Sequence, residues 1–128
     1  MVNVPQLQRH MKFLAKLQSR DIVSWTILIS GYGLHGYNDK ALEMFDEMIV
    51  DNVPPNSVTY ASVLKSCSTL KTLPKGRKLH MEIADEGYDS DFSVASALVD
   101  MYAKLGLMSE AHYIFDSLPN QDLVFWNT

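Results

Sequence analysis

Residues 22–26, Ile-Val-Ser-Trp-Thr, return as Leu-Val-Phe-Trp-Asn at residues 123–127, a shift of 101 positions. Between them, Ala-Leu-Glu-Met-Phe-Asp at residues 41–46 returns as Ala-His-Tyr-Ile-Phe-Asp at residues 111–116, a shift of 70. The pair Ser-Trp at residues 24–25 also aligns with Thr-Tyr further along, at a shift of 35. Self-similarity at a period of about 20 to 50 residues is typical of stacked repeats, so these segments predict the fold.

The three shifts divide the chain into units of unequal length. Residues 22–56 (unit 1) and 57–91 (unit 2) have 35 residues each, and residues 92–122 (unit 3) have 31. Residues 123–128 open a further unit, and residues 1–21 match the second half of a preceding one. Three full units are about the minimum for a stable stack.

Each unit carries the apolar pattern of two helices joined by a turn. In unit 1, apolar residues with three-to-four spacing cover residues 23–32 and again 41–49. Gly36 suits the left-handed end of the first helix, and Asn38 with Asp39 is predicted to cap the second. No segment has the alternation of a strand, so the sequence predicts an all-α stack of helical hairpins.

Composition limits the classes of function. The 128 residues suit one domain with a continuous core, since 47% are hydrophobic and 20% charged. No stretch approaches the roughly 18 apolar residues of a membrane span, so no membrane partner is expected. The lone Cys67 excludes an internal disulfide framework and a multi-cysteine zinc site. The net charge of −4 argues against indiscriminate phosphate binding.

One enzyme signal is incomplete. His-Met-Glu at residues 80–82 has the H-x-E start of a zinc deaminase signature, but the downstream Pro-Cys-x-x-Cys is missing. His80 instead occupies the place that Phe45 and Phe115 take in their units, which predicts a core position. The sequence therefore predicts no enzyme activity, no cofactor, no metal site and no small-molecule substrate.

The repeated segments resemble pentatricopeptide repeats, the helical-hairpin modules of organellar RNA-binding proteins. Three variants are matched: the standard 35-residue unit by residues 21–32 and 41–48, the long unit by 62–67 and 76–80, and the short unit by 97–104 and 114–116. This order is the pattern of the plant PLS subclass, usually involved in RNA editing. The resemblance implies a right-handed α-solenoid that binds single-stranded RNA in a mitochondrion or chloroplast, with any chemistry left to an editing or processing enzyme in trans.

The resemblance also implies base-contacting residues. In this family the fifth residue of a unit bonds the edge of one RNA base, and the last residue helps to set which base is preferred. By position, unit 1 offers Thr26 with Asn56, a pair that favours adenine in the family. Unit 2 offers Ala61 with Asp91, and alanine cannot hydrogen-bond a base edge, so this unit is expected to discriminate poorly.

Unit 3 offers Ser96 with Asp122, which resembles the threonine–aspartate pair that favours guanine. The opening of the next unit supplies Asn127 without its partner. The expected site is three to four nucleotides long, roughly adenine–any–guanine.

The second residue of each unit is usually aliphatic in this family and wedges the base between neighbouring repeats. Val23, Val58 and Val124 fit that pattern, whereas Ser93 departs from it. Stacking is therefore expected to be weaker at unit 3.

Other interpretations of these residues and of the whole chain remain open. Short polar residues at helix starts are common caps, and the two tryptophans, Trp25 and Trp126, are predicted to pack in the core because apolar neighbours accompany them. A protein-binding scaffold like the tetratricopeptide arrays is the rival function, supported by the net acidity. Those arrays keep a 34-residue period and a glycine where this chain has Ile29, Leu64 and Val99. A truncated fragment without independent function is the third alternative, because both ends fall inside a unit.

Overall fold

The computed structural model describes residues 21–118, and all regular structure in this range is helical. Six α-helices follow one another in three pairs: α1 (Ile22–Leu34), α2 (Asn38–Val50), α3 (Ser57–Leu70), α4 (Leu73–Asp85), α5 (Phe92–Lys104) and α6 (Met108–Asp116). A 3-10 turn at Tyr88–Ser90 precedes α5. We call α1, α3 and α5 the first helices, and α2, α4 and α6 the second helices. The expected partial units at residues 1–21 and 123–128 lie almost wholly outside the described residues.

The chain reverses direction at residues with left-handed backbone, which recur every 35 positions. Gly36, Lys71 and Gly106 hold this place within the three units, with φ values of 84°, 55° and 84°. Asn52 and Gly87 hold it between units, with φ values of 60° and 80°. The left-handed end predicted at Gly36 is confirmed. Lys71 adopts a conformation that costs a non-glycine residue about 1 kcal/mol or more, so its turn is less favourable than the two glycine turns.

The predicted cap of α2 is wrong. The helix begins at Asn38 with Tyr37 in the cap position, and no side chain caps it. The Tyr37 amide donates to the Tyr32 carbonyl oxygen at 2.8 Å, and the two rings meet edge to face at 6.5 Å between centroids. Because this contact fixes the turn one residue early, Asn38 and Asp39 fall inside the first turn rather than before it.

The first helices form one layer around which the core is built. The helix α3 packs against α1 on one side and α5 on the other, and each first helix also packs against the second helix of its own unit. Trp25 is 5% exposed, which confirms the prediction of a core role for this residue. At Gly76 on α4 an added Cβ would lie 2.6 Å from Met101 Sδ, so the missing side chain makes room for the buried Met101 of unit 3.

The second helices are joined across units by ion pairs. Lys75 Nζ on α4 lies 2.8 Å from Asp46 Oδ1 on α2. Arg77 of α4 binds Glu110 of α6 through two parallel hydrogen bonds of 2.9 and 2.6 Å. None of the helices between residues 21 and 118 has the length and apolar character needed to cross a membrane.

Candidate nucleic-acid interface

The last residue of each unit caps the first helix of the next. The Asn56 side-chain oxygen accepts the Thr59 amide at 3.0 Å at the start of α3. Asp91 Oδ1 accepts the amides of Ser93 and Val94 at 3.0 and 3.2 Å at the start of α5. Asp21 does the same for α1 by accepting an amide at 3.0 Å. The two described residues expected to set base preference, Asn56 and Asp91, therefore have a shared structural task as N-caps.

In unit 1 the two predicted base-contacting residues are linked through a third. Thr26 Oγ1 lies 2.8 Å from Thr59 Oγ1, and the Thr59 hydroxyl donates to Asn56 Oδ1 at 2.9 Å. Thr59 is fully buried, while Thr26 and Asn56 are half-buried. The structure thus brings Thr26 and Asn56 together through a buried hydroxyl rather than by direct contact.

Counting hydrogens shows what this network leaves for a ligand. Thr26 Oγ1 also lies 2.6 Å from the Ile22 carbonyl oxygen, so two hydroxyl hydrogens serve three short oxygen–oxygen contacts. Thr26 Oγ1 consequently keeps acceptor capacity. The Asn56 amide nitrogen is a donor that none of these bonds uses, because each of them ends on Oδ1. The pair therefore presents one donor beside one acceptor.

In unit 2 the corresponding residues are not linked. Val94 stands where Thr59 stands in the preceding repeat, and it is fully buried. With Ala61 at the fifth position, neither residue can bridge to Asp91 by a hydrogen bond. The Ser93 hydroxyl donates to Asp91 Oδ1 at 2.6 Å and, with the two cap amides, lowers the pKa of Asp91 below its ordinary value of 3.8. Asp91 is therefore a carboxylate at neutral pH whose Oδ2 remains as an acceptor.

In unit 3 the hydroxyl of Ser96 is buried and has no hydrogen-bond partner among residues 21–118. A buried hydroxyl without a partner is unfavourable, so a change of rotamer toward a ligand costs it no existing bond. Its predicted partner Asp122 lies outside the described residues, as do Asn127 and Val124.

The described wedge candidates are exposed aliphatic side chains. Val23 is 60% exposed and Val58 is 55% exposed, although both lie in helices whose other apolar residues are largely buried. Ser93, the exception in unit 3, is also exposed, but its hydroxyl is held by Asp91. Exposed valines at equivalent places offer flat apolar contact to a planar group.

A groove of about 440 Å³ runs along the layer of first helices. Its lining comes from all three first helices and the start of α2: Ser30, Gly33, Leu34, Asn38, Val58, Ala61, Ser62, Lys65, Ser66, Thr69 and Ser93. The fifth and second residues of unit 2 and the second residue of unit 3 therefore share one surface. The lining contains hydroxyl groups and one cation but no carboxylate.

The groups singled out for chemistry are engaged in packing. His80 is half-buried, its Nδ1 lies 2.8 Å from the Tyr102 hydroxyl, and burial lowers its pKa. Burial raises the pKa of Cys67 to about 11, so its thiol stays protonated at neutral pH. Within the described part of the chain no three His, Cys, Asp or Glu side chains are grouped to hold a metal ion.

Sequence reasoning missed three residues of this surface. Thr59 was aligned with Ser24 only to measure the period, although the change from Thr59 to Val94 signals that the units differ. Lys65 is one of five basic residues of unit 2, and with Ser66 it belongs to the segment that matches the long unit, but neither is predicted to line a site. Their signal is that Lys65 is the one charged residue in the segments of α1 and α3.

Comparison with known proteins places this sequence in a family. A model of the PPR repeat family matches residues 20–69, and a model of the PPR repeat matches residues 93–123, together more than half of the chain. A chloroplastic pentatricopeptide repeat-containing protein of Arabidopsis thaliana is 45% identical over 113 residues. A mitochondrial one from the same plant is 42% identical over 113 residues. Each alignment covers 88% of this chain and 18% of the relative, so the chain spans less than a fifth of the length of these relatives.

Proposed function

The chain belongs to the pentatricopeptide repeat family, and from this premise we propose that it binds single-stranded RNA sequence-selectively through the first helices, with one base per unit and no catalysis of its own. RNA binding is the known role of the family. The names of the relatives support a location in a chloroplast or mitochondrion. The succession of standard, long and short units favours the PLS subclass and a part in RNA editing, with an enzyme in trans.

The observation that carries this proposal is the link between Thr26, Thr59 and Asn56. Short polar side chains on rigid helices recognise splayed single-stranded bases through donors and acceptors at the base edge. The link fixes the spacing of the Thr26 oxygen and the Asn56 amide. Adenine has an exocyclic N–H donor next to a ring nitrogen acceptor, so an adenine edge can satisfy both groups.

The exposed valines support the same proposal. Val23 and Val58 lie in the first turns of α1 and α3. Thr26 is the fifth residue of α1, and Asn56 is the N-cap of α3. A base read by Thr26 and Asn56 would be held between these two apolar surfaces. Stacking and apolar contact contribute about 1–3 kcal/mol per base in single-strand binders, which is enough to position a base before its edge is read.

Unit 2 contributes less discrimination than units 1 and 3 in this scheme. Asp91 offers an acceptor without a hydroxyl partner at Ala61, and Ser96 with Asp122 provides the second base-reading pair. Asn127 would read a further base, next to the wedge residue Val124.

A titration of short RNAs tests the proposal. At low salt, an RNA of about ten nucleotides rich in purines should outcompete a polypyrimidine of equal length, because the pairs at units 1 and 3 favour purines. Thr26→Val should change the preference at a single nucleotide. Ser117→Ala is the matched control. Ser117 is the exposed residue directly after α6, and its hydroxyl donates only to the Tyr113 carbonyl oxygen of that helix. Equal affinity for the two RNAs, unchanged by Thr26→Val, would overturn base reading.

The rival function is a protein-binding scaffold, which the net charge of −4 favours. Absence of any salt-dependent RNA binding would leave that function as the better explanation.

A further inference from the structure

We propose that unit 2 binds a phosphodiester of the RNA backbone in the groove between α1 and α3, through Lys65 and the hydroxyl of Ser66. The inference rests on the proposed RNA binding and assigns to unit 2 a task other than base reading. Three features of the groove support it: its charge, its hydroxyl groups and its apolar walls.

The groove has an isolated positive charge in an acidic protein. Neither α1 nor α3 contains any charged residue except Lys65, and the two charged residues of α5, Asp100 and Lys104, neutralise each other at 3.1 Å. No carboxylate among residues 21–118 forms an ion pair with Lys65. By contrast, Lys75 and Arg77 on the second helices are both paired. Lys65 is thus the one charged side chain among the described residues that lines the groove, and an anion is the ligand it attracts.

The floor of the groove provides a hydroxyl from an almost fully buried serine. Ser66 is 1% exposed and lines the groove, and no hydrogen bond to its hydroxyl is found within residues 21–118. Gly33 of α1 approaches closely, since an added Cβ there would lie 3.4 Å from Ser66 Oγ. Because this hydroxyl has no hydrogen bond to give up among the described residues, it can donate to a ligand acceptor at the floor of the groove.

The neighbouring hydroxyls add one more donor. Ser30 Oγ and Ser62 Oγ lie 2.9 Å apart, so one of their two hydrogens serves the contact between them and the other is available. Thr69 donates its hydrogen to the Lys65 carbonyl oxygen at 3.0 Å and therefore has none to offer a ligand. The groove accordingly presents an ammonium and two hydroxyl donors, a set that suits the acceptor-only oxygens of a phosphodiester.

The walls of the groove suit the rest of a nucleotide. Val58 and Ala61 are apolar surfaces on the same groove, and its volume of about 440 Å³ exceeds what a phosphate alone would need. Ala61 leaves the fifth position without a hydrogen bond to a base edge. Unit 2 therefore adds affinity without sequence preference, between the base-reading pairs of units 1 and 3.

Two variants with matched controls test the phosphate site. Lys65→Gln should weaken binding of oligoadenylate and oligouridylate of about ten nucleotides by the same several-fold factor. It should also reduce the slope of log affinity against log salt by about 0.7, the value for one phosphate of a single strand. Lys78→Gln is the control, because it removes the same charge from an exposed position on α4. Ser66→Ala should weaken both RNAs equally with the slope unchanged, whereas Ser68→Ala, on the same helix but outside the groove, should not.

The results distinguish this inference from the function on which it rests. If Lys65→Gln and Lys78→Gln behave alike while Thr26→Val still shifts the base preference, the phosphate site is overturned and RNA binding stands. If the loss in Lys65→Gln is confined to one of the two RNAs, Lys65 reads a base, and the phosphate site is likewise overturned. If polyglutamate binds the wild-type chain more tightly than either RNA and Lys65→Gln abolishes that binding, the groove takes carboxylates of a protein and the phosphate site is wrong.

Discussion

The junction between units 1 and 2 and the junction between units 2 and 3 have the same backbone and different chemistry. Both place the last residue of one unit as the N-cap of the next first helix. At the first junction a buried Thr59 joins that cap to Thr26 of the neighbouring helix. At the second junction Val94 fills the same place, and the cap Asp91 has no such link to Ala61.

This difference shows that the N-caps needed for the fold and the groups presented to a ligand depend on different residues. A cap needs only a side-chain oxygen, which Asn56 and Asp91 both provide. The link between Thr26 and Asn56 also needs a hydroxyl at the third position of the next unit and a polar residue at the fifth position of its own. The fold therefore tolerates the loss of the link, while the chemistry offered to a ligand changes from a donor–acceptor pair to a carboxylate beside a lysine-containing groove.

The largest expected effect comes from removing the link. Thr59→Val keeps the shape of a fully buried residue but removes the hydroxyl that contacts Asn56 Oδ1 and Thr26 Oγ1, so the free energy of unfolding should fall by about 0.5–1.5 kcal/mol. Urea unfolding followed by circular dichroism measures it. Adding Thr26→Val should then cost less than it does in the wild type, because the two hydroxyls are coupled.

The control for this experiment is Thr69→Val, an exposed threonine whose hydroxyl bonds only its own helix. If Thr59→Val destabilises the chain no more than this control does, the two junctions are energetically equivalent and the comparison fails.

Acid should weaken the second junction and not the first. The pKa of Asp91 is depressed in the folded state, so its contribution to stability is complete above its unfolded pKa and is lost as pH falls through the folded value. Asn56 does not titrate. From about pH 5 downward, the wild type should therefore lose stability relative to Asp91→Asn, which retains a good cap at all pH values.

Thermal unfolding of both proteins between about pH 7 and 3 measures this difference. A constant difference in melting temperature across the range would show that the Asp91 cap has the same pKa in the folded and unfolded chains.

The smallest effect is expected from the ion pairs of the second helices. Arg77→Gln breaks a two-bond pair with Glu110, and Lys75→Gln breaks a single-bond pair with Asp46. Both pairs are partly exposed, so each loss should be modest and should shrink as salt shortens the Debye length to about 8 Å at 0.15 M. Salt-dependent melting curves compare the two, and a loss that persists at about 1 M salt would indicate packing rather than charge.

The helical content and the core were predictable because they depend on periodic apolar residues. The apolar spacing around Trp25 predicts the helix, and Gly36 predicts the turn that follows it. The cap of α2 was not predictable, because the contact between Tyr32 and Tyr37 leaves no pattern in the sequence. The Thr26–Thr59–Asn56 link joins two units, so its residues are distant in sequence and only the fold shows that they meet.

The ion pairs that join neighbouring units lie on the second helices, whereas hydroxyl contacts join the first helices of units 1 and 2. Dissolved ions should weaken the ion pairs between the second helices. They should have little effect on the hydroxyl contacts of Ser30 with Ser62 and of Thr26 with Thr59, which join α1 to α3. We expect added salt to loosen the contacts between the second helices more than those between the first helices, which would change the curvature of the stack. Small-angle X-ray scattering at low and high salt would detect the change in curvature, and an identical profile at both would refute it. The ionic composition around the chain would then change the spacing between the first helices of successive units.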